Sequence, residues 1–217
     1  MSKKKVLVIA AHPDDEILGV GGTILKHVDN GDDVYVCIAT KAYEPLWTKK
    51  YMEEKKKEQK KIDALLGIKK RFNLDLTTTK LNVLPHGEVN KVVSSIVDQV
   101  CPDVIYTHFE GDLNYDHTIL FRASMVASRP PKKINLLCFE TLSETEWNNK
   151  AFLPNYWVNI ERYIDTKIKS FKIYKSEGKK FPHPRSEEGI EILARKRGSE
   201  ICVKYAEAFM LIRDVWS

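Results

Sequence analysis

One histidine and three carboxylates follow an apolar run directly, near the start of the chain. The segment reads Val6-Leu7-Val8-Ile9-Ala10-Ala11-His12-Pro13-Asp14-Asp15-Glu16. In an open α/β sheet, ligands are held at the carboxyl ends of the strands. Burying so many charges there is costly unless something pairs with them, and a divalent metal ion is the simplest partner. The segment predicts a metal site, although Asp14 or Asp15 could instead cap a helix that starts near Glu16.

A second polar cluster follows another apolar, strand-like run. It reads His108-Phe109-Glu110-Gly111-Asp112-Leu113-Asn114-Tyr115-Asp116-His117, after Val104-Ile105-Tyr106-Thr107. In a parallel sheet both strand ends lie on the same edge, so the two loops would line one crevice. Two histidines and one aspartate, with a position left for water, are typical of a catalytic zinc site, whose water ionises near neutral pH. Together the clusters favour a metal-dependent hydrolase over two capped helices in polar loops.

Strand-like and helix-like segments alternate around these clusters. Apolar runs predict strands at 5–10, 34–39, 71–74, 104–107, 134–139 and 157–160. Helical spacing predicts helices at 16–30, 50–66, 85–100, 118–128, 162–177 and 186–205, and the apolar segment 208–212 fits an edge strand. The alternation predicts an α/β fold with a mostly parallel sheet and helices on both faces. The absence of a composition break predicts a single domain over 1–217.

Composition narrows the class of partner. The 217 residues are 43% hydrophobic, enough for a full core, and the net charge of +5 is compatible with an anionic substrate. That charge is too dispersed to indicate a nucleic-acid partner. The basic run 55–61 is interleaved with glutamates, which predicts the solvent-exposed face of a helix.

Targeting signals and cysteine pairs are absent from the sequence pattern. The four cysteines contain no C-x-x-C pair, so neither a disulfide framework nor a thiolate zinc site is expected. The apolar run after the basic N-terminus is too short for a signal sequence or a membrane span, and a cytoplasmic protein is expected. The apolar segment Phe209-Met210-Leu211-Ile212 fits an interface as well as a core, which leaves a homo-oligomer open.

Both clusters resemble motifs of the PIG-L/LmbE deacetylase family. His12-Pro13-Asp14-Asp15-Glu16 with Gly19-Val20-Gly21-Gly22-Thr23 is similar to its opening motif, and Asp112-Leu113-Asn114-Tyr115-Asp116-His117 to its second metal motif. The tail Pro182-His183-Pro184-Arg185-Ser186 resembles the branch found among sugar-modifying enzymes. The resemblance covers essentially the whole chain and implies a Rossmann-like three-layer sandwich.

The resemblance also implies a role for each motif residue. His12, Asp15 and His117 would hold one zinc ion, and Asp14 would be the general base. Asp116 would orient a catalytic histidine. The reaction would be hydrolysis of the N-acyl group, usually N-acetyl, of a small amino-sugar substrate, with an N-deformylase of a formamido sugar as the alternative. Zinc polarises an amide carbonyl, and a neighbouring carboxylate handles the proton transfers.

The chain departs from the commonest family pattern at Asn114, where many members carry a histidine thought to assist the oxyanion. Either Asn114 donates one hydrogen bond there, or His183 replaces the histidine from its stiff Pro-His-Pro turn. Arg185 could meet an anionic sugar or phosphate, which suggests a nucleotide-linked substrate. His108 and Glu44 follow strand ends and are further candidates for substrate contacts.

Three other functions compete with this interpretation. A dinucleotide-binding loop is disfavoured because Ile24 replaces the third glycine, the glycines come late after the strand, and no acid closes the second strand. A metal-dependent phosphohydrolase would have more carboxylates and fewer histidines. A protein that binds an acyl sugar without turning it over stays open because of Asn114.

Overall fold

One sheet contains all the strands found in the computed structural model, which describes residues 3–215. Its strand order is β3-β2-β1-β4-β5-β7-β6. The strands are β1 (Lys5–Ala10), β2 (Asp33–Lys41), β3 (Lys70–Thr77), β4 (Val104–His108), β5 (Asn135–Phe139), β6 (Tyr156–Asn159) and β7 (Ala206–Arg213). The helices are α1 (Asp15–Asp29), α2 (Lys49–Leu66), α3 (His86–Val100), α4 (Tyr115–Ala127), α5 (Ile164–Phe171) and α6 (Glu187–Ser199), with a short 3-10 turn at Leu81–Val83.

Strands β1 to β5 are parallel to one another, whereas β7 runs antiparallel to both β5 and β6. The strands that precede the two polar clusters are adjacent, because Val6 pairs with Val104 and Val8 with Tyr106. Their carboxyl ends therefore lie side by side on one edge of the sheet. This adjacency places both polar loops over the same crevice, as expected for an open parallel sheet.

Apolar side chains fill both faces of the central strand β1. Val6 and Val8 belong to the core under α1, α5 and α6, while Leu7 and Ile9 belong to the core under α3 and α4. All four are fully buried. Each such side chain contributes about 1.5–3 kcal/mol on burial, so β1 anchors both layers and its end is a rigid support.

The glycines of α1 serve packing. A Cβ atom at Gly22 would lie 2.8 Å from the Ile160 side chain, and one at Gly19 would overlap the ring of Phe139. Only glycine lets the helix approach the sheet and the segment after β6 so closely. The glycine pattern that superficially suggests a dinucleotide loop is therefore explained by helix–sheet contact.

Several element boundaries differ from the expectations. The segment predicted as an edge strand is β7, which lies inside the sheet because β6 pairs with its outer side. Phe209 on that strand is fully buried between helix and sheet. Helix α4 begins at Tyr115, three residues earlier than expected, so His117 lies in its first turn. The helices predicted at 162–177 and 186–205 are shorter, because turns complete both segments.

The four cysteines are free, with Cys37 and Cys138 buried and Cys101 and Cys202 exposed. This agrees with the expected absence of a disulfide framework. Among residues 3–215, no helix combines the length and apolar character needed to cross a membrane.

Candidate functional site

Three potential ligand atoms meet where β1 and β4 end. His12 Nδ1 lies 3.2 Å from Asp15 Oδ2, His117 Nε2 lies 3.3 Å from the same oxygen, and the two imidazole nitrogens are 3.4 Å apart. Ligands about 2.0–2.1 Å from a tetrahedral zinc ion are about 3.3 Å from one another. The triangle has the dimensions of one face of such a coordination sphere.

The local backbone explains why these side chains converge. His12 and Asp15 lie on the turn from β1 into α1, and the backbone N–H of His12 donates to Asp15 Oδ2 at 2.8 Å. Asp14 between them has a φ of 131°, a conformation that costs a non-glycine residue of order 1–3 kcal/mol. Such strain persists only where the surroundings fix the geometry, which is typical of functional sites.

The donor set fits a divalent ion. Asp15 is fully buried, and its second carboxylate oxygen has no hydrogen-bond partner within residues 3–215. Burial opposes a charge on His12, but hydrogen bonds to Asp116 and Asp15 outweigh it and raise the pKa of His12 to about 9. Burial likewise opposes a charge on His117, but Asp15 and Asp112 raise its pKa to about 10. These carboxylates create a negative field that a cation would neutralise.

Two further aspartates hold the outer nitrogens of the imidazoles. His12 Nε2 lies 3.2 Å from Asp116 Oδ2, and His117 Nδ1 lies 2.9 Å from Asp112 Oδ2. Asp116 is itself fixed by the backbone N–H of Thr79, 2.6 Å away. Carboxylates in this position fix the tautomer and orientation of metal-binding histidines. The sequence analysis identified Asp116 but missed Asp112. The feature that could have indicated Asp112 is its position in the second motif, five residues before His117.

His108 lies behind the ligand atoms and is fully buried. Its ring stacks on His117 at 3.7 Å between centroids, and its Nε2 accepts the backbone N–H of Ala11 at 2.9 Å. His108, Asp112 and His117 also come close enough to share an ion. In this group His108 Nδ1 and His117 Nδ1 lie 3.6 Å and 2.9 Å from Asp112 Oδ2, so Asp112 faces both rings on the side away from Asp15. The predicted substrate contact of His108 is corrected, because the strand end points its ring into the core.

Asp14 faces the cavity beside the ligand atoms and pairs with an arginine. Its Oδ2 accepts a hydrogen bond from Arg185 Nη1 at 3.0 Å, and Arg185 Nε donates to Ser143 Oγ at 2.8 Å. Burial and the charge of Asp15 raise the pKa of Asp14 well above its usual range, although Arg185 opposes the shift. Arg185 thus fixes the predicted general base and is only partly available to a substrate.

A buried network supports the strained backbone of Asp14. The Asp14 N–H donates to Glu16 Oε2 at 2.9 Å. Glu16 Oε1 accepts from Arg71 Nη1 at 2.9 Å and from the Tyr174 hydroxyl at 2.7 Å. Sequence reasoning missed Arg71 and Tyr174, which lie far away along the chain. The only sequence feature that pointed to them was Glu16, the third carboxylate of the motif, because a buried carboxylate needs a partner.

A cavity of about 450 Å³ opens above these groups, within the usual range for small-molecule sites. Its reacting end includes His12, Asp14, Asn114, Glu144 and Arg185. Its far wall consists of residues from the end of β2, from α2, from β3 and from the loops that follow β2 and β3: Thr40, Lys41, Ala42, Trp47, Tyr51, Met52, Lys55, Lys56, Gln59, Asn73, Asp75, Thr78 and Thr79. Glu177 also lines the cavity.

The structure separates the two candidates for the oxyanion. Asn114 lines the cavity, and its Oδ1 caps α4 by accepting the backbone N–H of Asp116 at 3.0 Å. His183 does not line the cavity; its Nδ1 accepts the backbone N–H of Arg185 at 3.1 Å, and its ring packs edge-on against Trp147. Glu44 is exposed and also lies outside the lining. Of the residues described, Asn114 is the candidate that borders the cavity, and the active-site roles of His183 and Glu44 stay predictions.

The basic run on α2 is not uniformly solvent-exposed. Lys55 is buried in the cavity wall, with its Nζ 2.7 Å from Glu177 Oε1 and 4.8 Å from the centre of the Tyr174 ring. Its neighbours Lys56 and Lys57 are exposed, as expected. The helical repeat alone turns one lysine of the run inward, and the ion pair with Glu177 offsets the cost of burying its charge.

Comparison with known proteins assigns this fold and site to a family. The chain belongs to the PIG-L family, because a family model described as GlcNAc-PI de-N-acetylase matches residues 7–128. Diacetylchitobiose deacetylase from Thermococcus kodakarensis is 24% identical over 238 residues, covering 98% of this chain and 85% of that protein. The protein named uncharacterized deacetylase YaiS from Escherichia coli K12 is 27% identical over 179 residues, covering 80% and 92%.

A solved structure agrees with the family assignment. The conserved protein TT1542 from Thermus thermophilus superimposes with a TM-score of 0.80 at 25% identity, covering 99% of this chain and 97% of that one. The predicted family, the α/β fold and the enzyme class of deacetylase are confirmed by these matches. The metal and the roles of individual residues stay predictions.

Proposed function

We propose that this protein is a zinc-dependent hydrolase that removes the N-acetyl group from an amino sugar. The observation that carries the proposal is the shared position of three ligand atoms and one buried carboxylate. His12, Asp15 and His117 converge within 3.4 Å of one another, and Asp14 faces the same cavity. The names of the deacetylase relatives support the reaction, and the diacetylchitobiose deacetylase supports a sugar as substrate.

The ligand set favours zinc over a hard oxygen-seeking ion. Two imidazole nitrogens and one carboxylate would hold the ion, whereas magnesium prefers oxygen ligands alone. A bound zinc ion would supply Lewis-acid polarisation and a lowered pKa for water. Asp112 and Asp116 orient the two histidines through their outer nitrogens.

Asp14 carries the proton transfers in this proposal. Its carboxylate would accept a proton from the attacking water and later donate that proton to the sugar nitrogen as the C–N bond breaks. Burial and Asp15 raise its pKa, which helps the carboxyl hold a proton between the two steps. Arg185 keeps the carboxylate in place through the 3.0 Å hydrogen bond.

Asn114 is the residue best placed to assist the carbonyl oxygen of the substrate. Its Oδ1 is used by the cap of α4, which leaves its amide N–H groups as the donors that would meet the substrate. Donors fixed in advance where negative charge develops give the largest electrostatic assistance. His183 is not part of the cavity lining, which makes Asn114 the preferred candidate. The support for a nucleotide-linked sugar is weaker, because Arg185 is already bonded to Asp14 and Ser143.

The test is acetate release from a panel of N-acetylated amino sugars, measured together with metal content. Asp14→Asn should retain zinc yet lose about 10²–10⁴ of kcat, because the general base is removed. The exposed Asp165→Asn variant is the matched control and should behave as wild type. Unchanged turnover in Asp14→Asn would reduce Asp14 to a structural residue, and failure to hydrolyse any acetamido sugar would reject the proposed reaction.

A further inference from the structure

Two glutamates of the loop that follows β5 differ in how their carboxylates are satisfied. Glu140 is not part of the cavity lining, and it accepts two hydrogen bonds from Arg197, both at 2.7 Å. Glu144 lines the reacting end of the cavity, and its carboxylate has one side-chain partner within residues 3–215, Arg185 Nη2 at 3.5 Å. The first carboxylate is engaged in a close ion pair, whereas the second is left to face a ligand.

We infer that the Glu144 carboxylate accepts a hydrogen bond from the nitrogen of the scissile amide and stabilises the positive charge that forms on this nitrogen before the C–N bond breaks. The inference rests on the proposed deacetylase function and adds a catalytic residue to it. Glu144 would serve the nitrogen end of the amide, as the proposed zinc ion and Asn114 would serve its carbonyl end.

Arg185 leaves Glu144 incompletely satisfied, because its guanidinium is already used elsewhere. Its Nη1 donates to Asp14 Oδ2 at 3.0 Å, and its Nε donates to Ser143 Oγ at 2.8 Å. The 3.5 Å contact with Glu144 is longer than the usual N–H···O hydrogen bond. Burial raises the pKa of Glu144, although the charges of His117 and Arg185 oppose the shift. A carboxylate that is costly to keep ionised gains strongly from a cationic neighbour.

The backbone that carries Glu144 is fixed against the second metal motif. The Glu144 carbonyl accepts the backbone N–H of Leu113 at 3.1 Å. Thr145 Oγ1 donates to Asp112 Oδ1 at 2.5 Å, and Asp112 in turn holds His117. Glu144 is thus held in a defined position relative to a proposed zinc ligand. An electrostatic group needs such a position in order to act without reorganisation during the reaction.

The bonds made and broken show why a carboxylate is useful at this position. After water has attacked the carbonyl carbon, the proton held by Asp14 moves to the nitrogen, which then carries a positive charge. The C–N bond breaks with its electron pair going to the nitrogen, giving acetic acid and a neutral amine, which ionise in water. Arg185 contacts both Asp14 and Glu144, so a nitrogen that Asp14 can protonate would also lie close to Glu144.

The experiment compares an acetamide with an ester that has no nitrogen, on the zinc-loaded enzyme. The substrates are the acetamido sugar of the panel that is turned over fastest and para-nitrophenyl acetate. Glu144→Gln should lower kcat for the acetamide about ten- to hundredfold with KM unchanged, because a charged acceptor for a group that becomes positive only during the reaction is removed. Ester hydrolysis should be unchanged, because the phenolate leaves without a proton.

Two further variants frame this comparison. Asp14→Asn should lower both reactions, because both require activation of the attacking water. Glu110→Gln, on an exposed glutamate of the loop after β4, is the matched control and should change neither reaction.

Inhibition of the ester reaction gives a second measurement that does not depend on amide turnover. Glucosamine carries a charged ammonium group at neutral pH and should inhibit Glu144→Gln about tenfold more weakly than the wild type. Glucose carries a hydroxyl group in place of the ammonium group and should inhibit both enzymes equally.

Several outcomes would overturn the inference. Equal losses for the acetamide and the ester in Glu144→Gln would mean that Glu144 acts through Arg185 and Asp14 and not on the nitrogen. Unchanged kcat for the acetamide, or unchanged inhibition by glucosamine, would also overturn it. These results would leave the deacetylase proposal intact, whereas absence of acetate from every acetamido sugar with the wild type would reject both proposals.

Discussion

The two ends of the cavity differ in how their polar side chains are hydrogen-bonded. At the reacting end, almost every polar group is held by another: Asp112 holds His117, Asp116 holds His12, and Arg185 holds Asp14. At the far wall, the side chains of Gln59 and Thr78 border the open cavity and make no hydrogen bond within residues 3–215. The groups proposed to do chemistry are thus held in advance, whereas part of the opposite wall is open to the cavity.

This difference follows from what each end must do. Proton transfer and metal binding require atoms within a few tenths of an ångström of the productive geometry, which only a supporting shell provides. Recognition of a substrate uses hydrogen bonds that must be open before binding. Variants at each level of support test this difference.

Removing a ligand atom should have the largest effect. His117→Ala deletes one corner of the triangle and should lower zinc affinity well over about 100-fold, with loss of nearly all acetate release. Metal analysis after dialysis and an acetate assay measure the two quantities. Wild-type zinc content in this variant would show that the site lies elsewhere. His86→Ala, at the exposed start of α3, serves as the matched control.

Removing a carboxylate that holds an imidazole should have the next largest effect. Asp112→Asn and Asp116→Asn should each lower zinc affinity about 10–100-fold, because the outer nitrogens of His117 and His12 lose a charged acceptor. Competition with a chelator of known affinity measures the loss. If both variants bind zinc like wild type, the reacting end does not depend on this supporting shell.

Zinc binding should depend steeply on pH. In the metal-free protein the pKa values of His12 and His117 are raised to about 9 and about 10, so both are protonated at neutral pH. Binding must release these protons, and affinity should rise with pH from 6 toward 9. Calorimetry in buffers of different ionisation enthalpy counts the protons. A release near zero at pH 7 would contradict the raised pKa values.

The same shifts predict the opposite trend for the stability of the metal-free protein. Because the folded-state pKa values lie above the ordinary value of 6.5, the stabilisation from His12 and His117 is fully present below pH 6.5. It is lost as pH rises through about 9 to 10. Thermal unfolding of chelated protein should therefore occur at lower temperature at pH 9 than at pH 7, and zinc should reverse the difference.

The smallest expected effect concerns the network under Asp14. Tyr174→Phe removes the 2.7 Å hydrogen bond to Glu16 and should lower kcat about three- to tenfold with KM unchanged, because the strained backbone of Asp14 loses part of its support. Tyr163→Phe is the matched control, since that hydroxyl also donates to a carboxylate at 2.7 Å, on the exposed Asp29. Equal kcat values in the two variants would show that the network contributes to stability and not to turnover.

Much of the site could be predicted from the sequence because its residues lie close together along the chain. His12, Asp14 and Asp15 lie on one turn, and Asn114, Asp116 and His117 lie at the start of one helix. The apolar runs before them predicted parallel strands whose ends share one edge of the sheet, and the structure adds that β1 and β4 are neighbours. The last third of the chain is less regular and was harder to predict, because β7 is antiparallel and its place inside the sheet depends on β6.

Side-chain direction was the main source of error. His108 ends β4 with its ring in the core, and His183 is turned toward Trp147. Neither orientation has a signature in spacing, because each depends on packing against elements distant in the chain. Lys55 shows the same effect, since its partner Glu177 follows α5 more than a hundred residues later.

By itself, the sequence determined the alternation of strands and helices, the polar loops after two apolar strands, and the residue types able to bind a metal and move a proton. These features are local, and short-range sterics and hydrophobic periodicity decide them. Tertiary structure alone decided which groups meet: the network of Glu16, Arg71 and Tyr174, the pairing of Arg185 with Asp14, and the far wall with Gln59. Those contacts join distant segments, and only the burial of both faces of the sheet brings them together.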